Sequence, residues 1–145
     1  MIESGQATRN LAWNSAVKSY KELGVWQKAL DLTSEVYRMT RPFPDEEKFG
    51  LTAQIRRASV SVAANIAEGR GRGTTKEYIQ FLLVARGSLM ELETHAIIAG
   101  RLGYLSEEEI VNLKVRVEEI GRMLNGLIQS LRGRQAVRSS PTPNP

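Results

Sequence analysis

A strict heptad repeat near the C-terminal end limits what this chain can fold into. Apolar residues recur there at alternating spacings of three and four, at Ile110, Leu113, Val117, Ile120, Leu124, Leu127 and Leu131. This spacing places every apolar side chain on one stripe of an α-helix, which is stable in water only when other helices cover the stripe. The repeat therefore predicts a long helix within a helical bundle.

Three further stretches with helical periodicity precede the heptad repeat. The first runs from about Val25 to Thr40, where two prolines at 42 and 44 stop it. It carries two neighbouring apolar stripes, one of Val25, Ala29, Leu32, Val36 and Met39 and one of Trp26, Leu30, Thr33 and Tyr37. The second stretch is predicted to be capped by Asp45 and to end with Gly69 at the C′ position. Its apolar positions are Phe49, Leu51, Ile55, Ala58, Val62 and Ile66.

Two capping boxes mark the starts of the third and fourth helices. Thr74 is followed three residues later by Glu77, and Ser106 by Glu109. Gly103 is predicted to end the third helix, and the mid-helix pair Gly87-Ser88 predicts a close crossing of another helix. The apolar stripe of the third helix is Tyr78, Leu82, Ala85, Leu89, Leu92, Ala96 and Ala99.

No segment has the pattern of a strand, and the connections between the four helices are short. We therefore expect an all-α, antiparallel up-down-up-down four-helix bundle. The first and third helices are apolar on more than one face, which favours subunit contacts. Residues 21–132 are assigned to the bundle, residues 1–20 to a mobile leader, and residues 133–145, with three prolines, to a disordered tail.

The composition excludes several kinds of active site. The chain has no cysteine and one histidine, His95, which lies one helical turn from Glu91. Thiolate metal sites and cysteine nucleophiles are therefore excluded, and a di-iron bundle site would need a second histidine. We expect no enzyme, cofactor or metal, and a surface or interface histidine bonded to Glu91. Since the sequence has neither a membrane-length apolar run nor a secretion signal, we expect a cytoplasmic protein.

The net charge of +4 hints at nucleic acid, but the excess lies in the ends. Residues 21–130 contain 15 basic and 15 acidic side chains. A local cluster around the glycine-rich segment 69–73 is basic, and we assign it tentatively to phosphate-backbone binding: Arg56, Arg57, Arg70, Arg72 and Lys76. A solvated face beside a flexible turn is the alternative. The basic residues behind the bundle, Arg132, Arg134 and Arg138, offer a competing polyanion site.

A polar line on the second helix has two interpretations. Arg57, Ser61, Asn65 and Glu68 share one side of the helix at spacings of 4, 4 and 3. It is either a solvated face or a polar stripe that contacts another subunit or a ligand. We include Ser61, Asn65, Glu68 and Glu91 in the tentative stripe.

The chain resembles the four-helix-bundle proteins encoded in intervening sequences of bacterial 23S ribosomal RNA genes. The resemblance spans about residues 20–132 and is specific in order and spacing. It is carried by the motifs at residues 25–29, 54–58 and 65–69, by Tyr37, Phe43-Pro44, Glu47, Gly50-Leu51 and Phe81-Leu82, and by Gly87-Ser88 with Glu91-Leu92.

The resemblance implies a bundle that assembles into a ring-like homopentamer, related to the accessory variability determinant of diversity-generating retroelements. That relative binds a reverse transcriptase and nucleic acid. The sequence therefore predicts a non-enzymatic, homo-oligomeric scaffold with RNA or DNA as a candidate ligand. The alternatives are an accessory subunit that docks onto a retroelement reverse transcriptase, and a pure protein-interaction scaffold.

Overall fold

The computed structural model describes residues 20–139, which form four α-helices and one short 3₁₀ helix. Helix α1 spans Tyr20–Thr40, α2 spans Leu51–Arg70, α3 spans Thr75–Arg101 and α4 spans Glu107–Ser139, with the 3₁₀ helix at Asp45–Glu47. Each helix contacts the next, and α4 returns against α1. This confirms the all-α fold, with no strand among the described residues and the helices arranged as a four-helix bundle. Within the same range, no helix combines the length and apolarity needed to cross a membrane.

The predicted apolar stripes form the core of the bundle. Every member of the predicted α3 stripe is buried, and so is the heptad repeat of α4 apart from the partly buried Ile110. The first predicted stripe of α1 is also buried, whereas Leu30 and Tyr37 of the second stripe remain 40% exposed. The core therefore uses one stripe of α1 and leaves part of the other on the surface.

The connection between α1 and α2 differs from the sequence prediction. Asp45 does not cap α2; it opens the 3₁₀ helix, in which tight i→i+3 bonds such as Lys48 N to Asp45 O (3.1 Å) close successive turns. The first amide of α2, Leu51 N, instead donates to Glu47 Oε2 at 3.2 Å. Phe49 therefore precedes the helix and is 90% exposed, so its assignment to the apolar side of α2 was wrong.

Thr74 is confirmed as the cap of α3, and the capping box of α4 is confirmed in both of its bonds. Glu77 N donates to Thr74 Oγ1 at 3.1 Å. At α4 the box is reciprocal, since Glu109 N donates to Ser106 Oγ and Ser106 N donates to Glu109 Oε1, each at 3.1 Å. Gly103 follows α3 with φ +80°, a conformation that glycine adopts without strain.

Gly69 does not have the predicted role of a helix stop. It lies inside the last turn of α2, which continues to Arg70 and is followed by Gly71 in the right-handed helical region. A Cβ on Gly69 would lie 2.7 Å from Phe81 Cβ and 3.0 Å from Tyr78 Cδ1. The missing side chain therefore allows α2 and α3 to approach closely just before the turn that joins them.

Helix α4 extends beyond the predicted end of the bundle at residue 132. It continues to Ser139, so residues 133–139, which were assigned to the tail, are helical. The physical reason is that the first helix-breaking proline is Pro141, whereas a single glycine such as Gly133 costs only about 1 kcal/mol in a helix. The remaining tail at 140–145 and the leader at 1–19 lie outside the described residues.

Candidate functional site

The structure divides the predicted basic cluster into two groups. Arg56 and Arg70 are fourteen positions apart on α2, which corresponds to about 21 Å along the helix axis. Arg56 and Arg57 lie toward the 3₁₀ end of the bundle, and Arg70, Arg72 and Lys76 surround the α2–α3 turn at the other end. One small ligand cannot contact both groups.

Arg56 takes part in packing between α1 and α2. Its Nε donates to Thr40 Oγ1 at 2.8 Å, and its guanidinium carbon lies 4.6 Å from the centre of the Tyr37 ring. Thr40 in turn donates to Val36 O at 2.8 Å. Arg56 is therefore already held in place, whereas its neighbour Arg57 is exposed and has no hydrogen bond or ion pair within the described part of the chain.

The second group forms a concave site that we call the basal cleft. It has a volume of about 500 Å³ and lies where the end of α2, the start of α3 and the C-terminal turns of α4 meet. Four cationic side chains and one carboxylate line it: Arg70, Arg72, Lys76, Arg134 and Glu22. Gly73, Thr74 and Thr75 also line it at the N-terminus of α3, where the first amides of a helix are not bonded within the helix.

The buried carboxylate of Glu22 contacts two other side chains that line the basal cleft. Glu22 accepts a hydrogen bond from Tyr78 Oη at 3.4 Å, and its Oε2 lies 3.5 Å from Arg70 Nε. The Arg70 contact is an ion pair without hydrogen-bond alignment, since that buried Nε–H has no bonded acceptor. Burial, and then the charge of Glu22, raise the pKa of the Tyr78 phenol, which therefore stays protonated and can donate to the carboxylate.

The other cations of the basal cleft face solvent. Arg72 donates to Glu68 at 2.8 Å and lies 4.7 Å above the Phe81 ring. Lys76 and Arg134 are exposed and have no ion pair among the described residues. Arg134 was predicted to lie in a competing basic tail, but the continuation of α4 to Ser139 brings it to the cleft.

The polar stripe partly joins two helices. Ser88 Oγ donates to Val84 O at 3.1 Å, so the 2.9 Å contact between the hydroxyls of Ser61 and Ser88 has Ser61 as its donor. Asn65 Nδ2 donates to Ser61 O at 2.8 Å and to Ser61 Oγ at 2.9 Å. Ser61 therefore bonds across to α3, whereas both bonds of Asn65 stay within α2.

Two predictions made from the sequence of α3 can be compared with the structure. His95 Nε2 lies 3.2 Å from Glu91 Oε1, as predicted. The pair Gly87-Ser88 was predicted to mark a close crossing of another helix. Ser88 is buried against Ser61 of α2, whereas Gly87 is exposed and a Cβ there would meet nothing within 4 Å. Within residues 20–139, no group of three histidine or carboxylate side chains is placed to hold a metal ion.

Comparisons with known proteins agree with this architecture. A family model described as 23S rRNA-intervening sequence protein matches residues 21–126. The solved structures that match include a protein with unknown function from the S23 ribosomal protein family of Bacteroides thetaiotaomicron VPI-5482, determined at 1.70 Å resolution. The two chains share 24% identity with a TM-score of 0.70, and the match covers 75% of this chain and 98% of that one. At this identity the likeness establishes the fold alone. A search of curated proteins gave no match.

Proposed function

This chain belongs to the family of 23S rRNA-intervening sequence proteins, and on that premise we propose that it is a non-enzymatic, homo-oligomeric scaffold whose basal cleft binds the phosphates of a nucleic acid. The observation that supports the proposal is the convergence of Arg70, Arg72, Lys76 and Arg134 on one concave surface. Three of these cations lie within residues 70–76 and Arg134 comes from the end of α4, so the fold completes a cluster that one basic stretch begins.

The charges of the cleft favour an anion with several phosphates. Glu22 neutralises one of the four cations, and Glu68 neutralises Arg72 on the rim of the cleft. At least two positive charges therefore remain for an anion to neutralise. The unpaired amides at the N-terminus of α3 add a favourable potential for an anion. Because residues 21–130 taken together are neutral, binding should depend on this local excess rather than on a general attraction.

Binding at the basal cleft involves no chemical step. The one imidazole, His95, lies nineteen positions from Lys76 on α3, which is about 28 Å along the helix. It therefore cannot serve as a base for a group bound in the basal cleft. A scaffold that positions a nucleic acid needs only phosphate contacts, which arginine and lysine provide without base recognition.

Substitution of the two exposed cations tests the proposal. We expect Lys76→Gln with Arg134→Gln to weaken binding of a fluorescein-labelled single-stranded RNA about tenfold or more in anisotropy titrations. The slope of log K against log salt should fall by about 0.7 for each phosphate that the variant no longer neutralises. Both side chains are exposed and unpaired within the described range, so helicity should be unchanged.

A matched control removes the same net charge at the opposite end of the bundle. Arg101→Gln with Lys114→Gln changes two exposed cations near the α3–α4 connection and should leave RNA affinity within about twofold of wild type. Equally weakened binding in the two double variants would show that only net charge matters, and the cleft assignment would then be wrong. No binding by wild type at low salt would reject the nucleic-acid proposal and favour a scaffold for proteins.

A further inference from the structure

The basal cleft continues sideways between α3 and α4. A second depression of about 340 Å³, which we call the side groove, lies between the first turns of α3 and the last turns of α4. Two of the residues that line it, Lys76 and Gln135, also line the basal cleft. The side groove is completed by Ile79, Gln80, Leu83 and Arg132. The two depressions therefore adjoin, and one extended ligand can occupy both.

The wall of the side groove differs in chemistry from the basal cleft. Ile79 and Leu83 lie one helical turn apart on α3, so their side chains form one continuous aliphatic surface. Ile79 is buried and Leu83 is partly buried against the core, which holds both side chains in position. An aliphatic surface adds nothing to the binding of a phosphate, because an anion is more stable in contact with water or polar groups. The side groove therefore suits a ligand that also has an apolar part.

Cations from two helices accompany this aliphatic surface. Lys76 belongs to α3 and Arg132 to α4, and both are exposed, with no ion pair among the residues that the structure describes. Within the same part of the chain no carboxylate lines the side groove, whereas Glu22 lines the basal cleft. The side groove therefore attracts phosphates on either side of whatever covers its aliphatic surface.

Gln80 supplies a polar group beside the aliphatic surface. It lies one turn after Lys76 on α3 and is exposed, and its side chain forms no hydrogen bond in the described range. A glutamine amide both donates and accepts hydrogen bonds, so it can pair with the polar groups on the edge of any base. A nucleotide combines the three features that the side groove accommodates, namely phosphates, the largely apolar face of a base and the polar edge of that base.

We infer that the side groove is a subsite for an unpaired base, next to the phosphates held in the basal cleft. The face of the base packs on Ile79 and Leu83, and its edge meets Gln80. The flanking phosphates contact Lys76 and Arg132. This inference rests on the proposed function and specifies its ligand as a single-stranded nucleic acid.

The size and chemistry of the side groove favour a single strand over a duplex. In a duplex each base is stacked between its neighbours and bonded to its partner, so it enters a protein groove only after leaving the stack, at a cost in free energy. A groove of about 340 Å³ lies near the lower end of the range for small-ligand sites, which is large enough for a base but not for a double helix. Proteins that hold single strands combine a basic groove for the backbone with apolar or aromatic side chains for the bases, as these two depressions do.

A strand without bases tests the inference directly. We expect the protein to bind a short single-stranded DNA oligonucleotide about fivefold or more tighter than an abasic strand with the same number of phosphates, because contact with a base adds affinity without adding charge. Anisotropy titrations at several salt concentrations measure both affinities, and the two salt slopes should be equal. Equal affinities would show that the side groove holds no base, although phosphate binding at the basal cleft would stand.

Truncation of the aliphatic surface locates the base contact. Leu83→Ala keeps every charge, so it should reduce the preference for the base-bearing strand to within about twofold while leaving the salt slope unchanged. Leu51→Ala is the matched control, because Leu51 is also a helical leucine partly buried against the core but lies at the opposite end of the bundle. It should keep the full preference. An equal loss of preference in the two variants would overturn the assignment of the side groove.

A second variant tests the site without touching the core. Gln80 is exposed, so Gln80→Ala should leave the circular dichroism spectrum unchanged and lower the preference for the base-bearing strand about twofold or more, as expected for one lost hydrogen bond. Gln54→Ala changes an exposed glutamine of α2 at the other end of the bundle and should keep the full preference. If Gln80→Ala also keeps it, the base edge does not meet Gln80, and the assigned orientation of the base is wrong.

Two DNA hairpins test the requirement for unpaired bases. They contain the same number of phosphates, but one is blunt and the other ends in a single-stranded overhang. The hairpin with the overhang should bind about threefold or more tighter, because its bases enter the side groove without leaving a duplex. Equal affinities of the two hairpins would overturn the specificity for single strands. Absence of binding to every strand at low salt would instead refute the proposed function, and the base subsite with it.

Discussion

Alanine at Gly69 should destabilise the bundle although the same change usually strengthens a helix. The added Cβ would lie 2.7 Å from Phe81 Cβ and 3.3 Å from the backbone oxygen of Tyr78. Neither atom is the end of a flexible side chain, so the clash can be relieved only by moving α3 away from α2. The core residues nearby, Ile66 and Leu82, would pack less tightly as the helices separate.

The magnitude follows from two opposing effects. Replacing glycine by alanine in a helix gains about 1 kcal/mol. Overpacking a close contact costs about 1–3 kcal/mol, and a contact that involves backbone lies toward the upper end of this range. We therefore expect Gly69→Ala to lower the free energy of unfolding by about 1–2 kcal/mol.

Urea denaturation followed by circular dichroism, at one fixed protein concentration, provides the assay. Gly126→Ala is the control for helix propensity, because its Cβ would meet nothing within 4 Å, and it should gain up to about 1 kcal/mol. Gly100→Ala should fall between the two, since its Cβ would collide with Ile110 Cδ1, the end of a side chain that can rotate. If Gly69→Ala is as stable as Gly126→Ala, the close approach of α2 and α3 is refuted.

Two further predictions concern the core and the buried phenol. Leu124 is fully buried, so Leu124→Ala should lower the free energy of unfolding by about 2–5 kcal/mol in urea, and a decrease below about 0.5 kcal/mol would contradict its burial. The pKa of Tyr78 is raised in the folded state from the ordinary value of 10.0, so the unfolded chain releases this proton first and stability should fall as pH rises above about 10. Tyr78→Phe should reduce that decline between about pH 9 and 11, and a decline equal to that of wild type would refute the coupling.

The helices could be predicted from the sequence because each depends on local information. The heptad repeat of α4 and the box formed by Ser106 and Glu109 lie within single segments, and the structure confirms both. The α1–α2 connection could not be predicted in the same way. An acidic residue after prolines is typical of a helix cap, but Asp45 begins a 3₁₀ helix instead. Because of this extra turn, Phe49 lies outside the core, and Glu47 accepts the hydrogen bond from Leu51 N.

The candidate site was only partly predictable because nearness in sequence does not give nearness in space. Arg56 and Arg70 belong to the same helix, yet its length separates them. Arg134 joins Lys76 at the basal cleft only because α4 continues past residue 132 and returns to the start of α3. The bond from Tyr78 to Glu22 was equally hidden, since the two residues are 56 positions apart. These contacts depend on how the helices are aligned, and apolar periodicity alone does not fix that alignment.

The self-assembly and the basal cleft of the proposed function reinforce each other. An assembly multiplies the few cations of one cleft by its number of copies. A nucleic acid that contacts one cleft is then held near the next, and the gain comes from effective concentration rather than from new contacts. Dilution below the concentration at which the assembly dissociates should therefore weaken RNA binding without removing a cation, whereas Lys76→Gln with Arg134→Gln should weaken it without changing the mass of the assembly. Equal affinity of the assembled and the dissociated protein would show that a basic monomer accounts for the binding.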